Sequence, residues 1–156
     1  MKKVIPIILA LLLFSGCKAE KYTPVINVDF KVSAVVKTGD FSYSCNIERA
    51  GDTVYVSPTS SRAKGLVISC SSKEVSFKRK TFSKTFPVEE IDKTNPAVIL
   101  HRVFTSLESA DIKLIDGAFI YSGNCELGKY ILTQNKDNSL KSLSVPQAHI
   151  EFEFTS

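Results

Sequence analysis

Histidine and tryptophan are nearly missing from this sequence of 156 residues, which contains two histidines and no tryptophan. His101 and His149 lack the short helical spacing of metal-binding pairs, and no two cysteines have the C-x-x-C spacing of zinc or redox sites. No G-x-S-x-G motif is present, and neither histidine has a recognisable nucleophile beside it. The sequence therefore predicts no catalytic residue, no metal and no cofactor, and thus a protein that is not an enzyme. Both histidines are expected at the surface or in a loop, His101 on the exposed flank of a helix.

An excess of charge of one sign is also lacking, because 20 lysines and arginines stand against 16 acidic residues. Nucleic-acid binding needs a clustered basic surface, and the one basic run, Lys78-Arg79-Lys80, is short. The segment from Gly123 to Lys129 fits the G-x-x-x-x-G-K pattern of phosphate-binding loops, but Tyr130 stands where that loop has Ser or Thr. Lys129 is also expected to enter a strand rather than a helix. We predict no nucleic-acid partner and interpret the phosphate-loop pattern as a chance match.

The N-terminus has no apolar run long enough to cross a membrane, which takes about 20 residues. Lys2 and Lys3 precede a shorter apolar run, Val4 to Phe14, in the order of a secretory signal peptide. The following Leu13-Phe14-Ser15-Gly16-Cys17 resembles the lipobox of bacterial lipoproteins. That resemblance implies cleavage before Cys17 and attachment of acyl chains such as palmitate to this residue. The protein is then expected to be exported and lipid-anchored, on the outer face of the cytoplasmic membrane or on an outer membrane.

Three segments follow from this interpretation. Residues 1–16 form the lipoprotein signal peptide, residues 17–27 a lipidated tether with little periodicity, and residues 28–156 one domain of ordinary size. With Cys17 committed to lipid, Cys45, Cys70 and Cys125 remain, so at most one disulfide can form and one thiol is left over. All three could equally be small buried side chains, and burial is favoured for Cys45.

The mature chain is dominated by alternating apolar and polar residues, the pattern of half-buried strands. This alternation is clearest from Val28 to Val36, from Phe41 to Arg49 and from Ile150 to Phe154, and short turns join the segments. The best helix is predicted from Pro96 to Ser109, with Asn95 as its cap. The fold class predicted is therefore α+β, a curved antiparallel sheet forming an incomplete β-barrel with a helical cover.

Ten phenylalanines and five tyrosines are spread over nearly every predicted element. Such side chains either fill a core or surround an apolar cavity beneath the helix. Both interpretations stay open at the level of sequence. The residues expected to line a cavity are Phe30, Phe41, Tyr43, Phe77, Phe104, Phe119, Tyr121 and Phe152.

The layout as a whole resembles the lipoprotein-carrier superfamily of LolA and LolB. The resemblance is sharpest in the last 40 or so residues, where Phe119-Ile-Tyr121-Ser-Gly123, Gly128-Lys-Tyr130-Ile-Leu132 and Leu140 to Pro146 precede the closing strand. It implies a half-barrel whose concave face is closed by helices around a lipid-holding cavity. The chain departs from that pattern in having one convincing helix and a lipobox.

The function expected is that of a membrane-anchored lipoprotein binding an acyl chain or another apolar ligand in the half-barrel. The ligand would be a lipid or the acyl chain of a lipoprotein. The alternative is a non-catalytic structural or protein-interaction lipoprotein of the cell envelope, with a filled core and an envelope protein as partner.

Overall fold

The computed structural model describes residues 24–155, and their backbone is mostly strand. The predicted signal peptide and Cys17 lie outside the described residues. Eleven strands are formed: β1 Phe30–Thr38, β2 Phe41–Ala50, β3 Thr53–Pro58, β4 Val67–Cys70, β5 Glu74–Arg79, β6 Phe82–Pro87, β7 Asp111–Ile115, β8 Ala118–Cys125, β9 Gly128–Asn135, β10 Leu140–Val145 and β11 Ile150–Thr155. Single 3-10 turns lie at Val88–Glu90, Leu107–Ser109 and Pro146–Ala148.

All eleven strands belong to one antiparallel sheet, in the order β6-β5-β4-β3-β2-β1-β11-β10-β9-β8-β7. Strands that follow one another along the chain pair antiparallel, except β6 and β7, and within residues 24–155 the one pairing between strands distant in sequence joins β1 to β11. This pairing places β1 in the middle of the sheet and leaves β6 and β7 as its two edges. The sheet is curved and is not closed into a barrel, so the predicted α+β fold class is confirmed.

Helix α1, Pro96–Ser106, lies on the inner face of the sheet against β3, β4 and β8. It begins where predicted, because the Asn95 side chain accepts a hydrogen bond from the amide of Ala97 at 3.0 Å. The α-helix ends at Ser106, and the last three residues of the predicted helix form a tighter 3-10 turn. Among residues 24–155, no helix has the length and apolar character needed to cross a membrane.

The core lies between α1 and the inner face of the sheet. Its residues belong to nearly every strand and include Val36, Ile47, Leu132 and Phe152, each fully buried. Packing is tight enough that Gly123 has no room for a side chain. A Cβ atom at this position would lie 2.5 Å from the Tyr130 hydroxyl oxygen, and the Tyr130 side chain is itself 1% exposed. Gly123 therefore lets the Tyr130 ring lie flat on the backbone of β8.

Two details were not captured by the sequence pattern. The segment from Phe82 to Pro87, which shows no clear alternation, is a paired edge strand. His101 was expected on the exposed flank of the helix, and this prediction is wrong. Its side chain is buried, with 7% of the residue exposed, and its Nε2 lies 3.2 Å from Oδ1 of Asp52 in the β2–β3 turn. The polar partner is what makes burial of this imidazole tolerable.

Candidate functional site

The structure places the eight residues predicted to line a cavity on one side of the sheet. Directly paired residues of adjacent strands point to the same face, and successive pairs link Val36 to Tyr43, Phe152 and onward to Tyr121. Phe77 joins the same face through Ile68. Phe104 reaches this face from α1. Its ring contacts the ring of Phe30 on β1 edge-on, with the two centroids 5.2 Å apart.

These eight residues do not surround one common cavity. Phe104, Phe119, Tyr121 and Phe152 are at most 4% exposed and belong to the packed core. Phe30, Tyr43 and Phe77 are partly buried against its margin. Phe41 is 56% exposed at the β1–β2 hairpin. The aromatic face is thus filled beneath the helix and open only around its edges.

One opening into this face lies at the start of β1, and we refer to it as the mouth. It is a cavity of about 210 Å³ between the N-terminal segment, residues 24–29, and the β9–β10 turn. Its lining residues are Ile26, Asn27, Phe30, Lys31, Val32, Gln134, Asn138, Ser139 and Leu140. Ile26, Phe30, Val32 and Leu140 also pack against the core. The mouth is therefore the point at which the apolar interior meets the surface.

Gln134 closes the mouth from the inside. It is 1% exposed, and its Oε1 accepts a hydrogen bond from the Tyr121 hydroxyl at 2.7 Å. Its Nε2 donates to the carbonyl oxygens of Val25, at 2.8 Å, and Asn138, at 3.0 Å. Both polar atoms of the side-chain amide thus have hydrogen-bond partners, as buried polar groups generally do. It ties the N-terminal segment across the mouth through the Val25 carbonyl.

A second depression, of about 420 Å³, lies along α1 beside His101, Arg102, Cys125 and Glu126. Arg102 and Lys93 both form ion pairs with Glu126. These contacts and the His101–Asp52 pair fix the helix to the β2–β3 and β8–β9 turns.

The charged and polar groups of this depression hold α1 in place. The backbone amide of Ser72, at 3.1 Å, and then the hydrogen bond with His101 hold the pKa of the Asp52 carboxyl below its usual range. Within residues 24–155, Asp52 is the one hydrogen-bond partner of the His101 side chain. An imidazole paired in this way could orient a nucleophile only if one lay within hydrogen-bond reach. The arrangement explains the position of α1.

The three cysteines within the described residues are all free thiols. Cys45 on β2 and Cys70 on β4 are buried as predicted for Cys45, and burial raises the pKa of each thiol to about 11. Strand β3 lies between them, so their Cα atoms are roughly 9 Å apart or more, too far for a disulfide. Within residues 24–155, no three His, Cys, Asp or Glu side chains come together in a way that could hold a metal ion.

Sequence reasoning missed the exposed apolar residues of the β7 edge strand and of β9, which β8 separates from that edge. Ile112, Leu114 and Ile115 on β7 are 47%, 54% and 50% exposed, and Ile131 on β9 is 46% exposed. Ile112 and Leu114 pair with Tyr121 and Phe119 and so point to the same face of the sheet as α1, whereas Ile115 and Ile131 point to the opposite face. The available signal was the sequence Ile112-Lys-Leu-Ile115 itself, which is apolar at positions of both strand faces.

No protein-family model matches the chain, and no curated protein matches it. Among solved structures, the chain is similar to a LolA superfamily protein from Nitrosomonas europaea, at 11% identity and a TM-score of 0.45, over 85% of this chain and 86% of that chain. It is also similar to a chain in the structure of the CwlD amidase from Clostridioides difficile in complex with the GerS lipoprotein. Here the identity is 13% and the TM-score 0.43, over 93% of this chain and 85% of that chain. The likeness to the LolA superfamily predicted from the sequence is thus found among solved structures, and at these identities it concerns the fold alone.

Proposed function

We propose that this protein is a membrane-anchored lipoprotein that takes up an acyl chain or a similar apolar ligand at the mouth of its half-barrel. The observation that carries the proposal is the mouth itself. Phe30, Val32 and Leu140 line it while packing against the core. An apolar chain entering there would meet hydrocarbon side chains rather than water, and burial of each methylene contributes about 0.8 kcal/mol.

The small volume of the mouth limits how a ligand could enter. Its volume of about 210 Å³ is below the roughly 300–1,000 Å³ of ordinary ligand pockets. An acyl chain therefore requires the N-terminal segment to move aside. Gln134 holds that segment through the Val25 carbonyl, and Asp29 accepts a hydrogen bond from the amide of Gly51 at 2.7 Å. Release at Val25 alone would uncover the mouth and leave the start of β1 in place.

The predicted anchor gives this movement a physical context. Pro24 follows Cys17 by seven positions in the sequence, and an extended chain of this length reaches about 24 Å. Lipid attached at Cys17 would keep the mouth near the membrane surface. A ligand could then pass between bilayer and mouth without crossing much water.

A second candidate function is favoured by the packed core. The inward-facing residues of α1 are almost entirely buried, as are Phe119, Tyr121 and Phe152 on the opposite strands. A lipoprotein with such a core would act through its surface, as a structural or protein-interaction component of the cell envelope.

Ligand content separates the two candidates. Residues 18–156, purified from cells, should carry co-purifying lipid that mass spectrometry detects in an organic extract. A fluorescent fatty acid should bind, and Leu140→Lys at the mouth should weaken its binding at least tenfold. Ile131→Lys, at an exposed position away from the mouth, is the matched control and should bind as the parent does. A clean extract together with no probe binding would reject the first candidate in favour of the second.

Anchoring is tested separately in cells that express the full chain. Labelled palmitate should be incorporated into the parent protein and not into Cys17→Ser, which should also be released from the membrane fraction. Equal incorporation into both proteins would contradict lipidation at Cys17.

A further inference from the structure

Strand β7 is an exposed edge strand of the sheet. It is the last strand in the sheet order, pairs with β8 alone within residues 24–155, and has all five residues exposed. Three of the five, Ile112, Leu114 and Ile115, are apolar and about half exposed. A flat apolar edge of this kind is a template for pairing with another strand.

The hairpin geometry shows which backbone groups of β7 are available. Asp116 and Gly117 form a two-residue turn with φ values of +48° and +80°, the combination of a type I′ hairpin. The pair that closes such a hairpin, Ile115 and Ala118, exchanges both hydrogen bonds, and bonded and non-bonded pairs then alternate along the ladder. The N–H and C=O groups of Ile112 and Leu114 therefore point away from β8, toward the free edge.

The opposite edge of the sheet is protected, which makes β7 the exception. Strand β6 carries Lys84 at its centre and ends at Pro87, and lysine and proline are the residues with which natural sheets block edge pairing. Strand β7 also contains a lysine, Lys113, but Asp111 stands two residues before it. The charge that would repel a second strand is thus balanced within β7 itself.

We propose that β7 pairs with β7 of a second copy of this chain, antiparallel, about a two-fold axis at Ile112. In this register the two Ile112 residues face each other and exchange backbone hydrogen bonds. Lys113 of each copy lies opposite Asp111 of the other, and Leu114 lies opposite Ala110. A two-fold axis at Lys113 would instead bring two lysines face to face, which is unfavourable.

Charge complementarity and symmetry together select a second copy as the occupant. Residues 110–114 of each copy supply both halves of the contact, so the interface is isologous and closes on itself. Its apolar side chains meet apolar side chains and its acidic residue meets a basic one. A pairing of one short strand buries little area, so this contact joins two copies already held at the same membrane or at high concentration.

The test uses the full chain in cells, expressed with two different tags. Ile112→Cys places a thiol on the two-fold axis, where paired Cα atoms of a hydrogen-bonded antiparallel pair are about 5.5 Å apart, a distance that a disulfide spans. Mild oxidation should convert most of this variant into a disulfide-linked dimer carrying both tags. Ile131→Cys, equally exposed but away from the edge, should yield at least tenfold less dimer.

A charge swap tests the register. In the Ile112→Cys background, Asp111→Lys should reduce dimer formation at least fivefold, and adding Lys113→Asp should restore it. All these positions are exposed, so the fold should survive, which circular dichroism can verify. The proposal is overturned if Ile112→Cys gives no more dimer than Ile131→Cys, or crosslinks to a different protein instead. Failure of the swap to restore the dimer would overturn the register.

Discussion

Replacing Gln134 with leucine isolates the contribution of the amide that ties the N-terminal segment across the mouth. The leucine side chain has nearly the same size but cannot accept the hydrogen bond from the Tyr121 hydroxyl or donate to the carbonyls of Val25 and Asn138. The three lost bonds differ in their surroundings. The Tyr121 hydroxyl would be left deep in the protein, whereas Val25 and Asn138 lie at the exposed surface, where water can replace the amide.

The magnitude follows from this difference. A buried donor without a partner costs about 1–3 kcal/mol, and a hydrogen bond exchanged for water costs little. We therefore expect Gln134→Leu to lower the free energy of unfolding by about 2 kcal/mol. Adding Tyr121→Phe removes the stranded hydroxyl, so the double variant should be about 1 kcal/mol more stable than Gln134→Leu alone. A gain in stability when the Tyr121 hydroxyl is also removed is the outcome that distinguishes this explanation.

Urea unfolding followed by circular dichroism gives the required comparison. The midpoints should fall in the order parent, double variant, Gln134→Leu, with the slope m unchanged. Because the N-terminal segment is released, Gln134→Leu should also take up a fluorescent fatty acid faster than the parent. A double variant less stable than Gln134→Leu would refute the reasoning, since it would mean that Tyr121 and Gln134 contribute independently.

Two further predictions concern titratable groups. At pH 8, iodoacetamide should alkylate Cys125 well before Cys45 and Cys70, whose thiol pKa values burial raises to about 11; rapid labelling of Cys45 in the folded protein, detected by peptide mass spectrometry, would contradict this. The Asp52 carboxyl has its pKa lowered by the amide of Ser72, so its stabilising contribution is present above the ordinary value of 3.8 and is lost as pH falls through the lowered folded value. The stability difference between the parent and Asp52→Asn in thermal melts should therefore shrink below pH 4, and a difference that persists at pH 2 would show that the charge is not its cause.

Strands with one face in the core could be predicted from their alternation, whereas the edge strand β6 could not. Strands β1, β2 and β11 alternate because one face of each strand lies in the core. Strand β6 has only Phe86 partly buried, so nothing selects an alternating pattern in its sequence. Its place in the sheet is set by backbone pairing with β5, which the pattern of side chains does not reveal.

The sequence contains a signal for the burial of His101, although the prediction placed this residue on the exposed flank of the helix. It lies three residues after Val98 and three before Phe104, on the buried side of the helix. The polar character of the side chain suggested solvent exposure, because its partner, Asp52, is distant in sequence. Helical spacing would have been the better guide.

Whether the aromatic residues surround a cavity or fill one is also beyond sequence patterns. Alternation places Phe30 on the inner face, but the space beside it is taken by Phe104, whose ring is in turn covered by the Arg49 guanidinium at 5.3 Å. These three side chains come from two strands and a helix that meet only in the folded chain. The volume left over depends on how they interdigitate, and no local pattern records it.

The position of β1 bears on how the mouth and the β7 edge relate to each other. The N-terminal segment enters the sheet at its central strand, with five strands on either side. The anchor proposed at Cys17 would hold the mouth toward the membrane while leaving both sheet edges unconstrained. Occupation of the mouth would displace residues 24–29, which lead into β1, and four strands separate β1 from β7 in the sheet. The proposed dimerisation uses the β7 edge instead. Because the two events use different backbone groups, the β7 charge swap should leave fatty-acid binding unchanged, and Leu140→Lys should leave the Ile112→Cys dimer unchanged. A loss of both activities in either variant would show that the two surfaces are one.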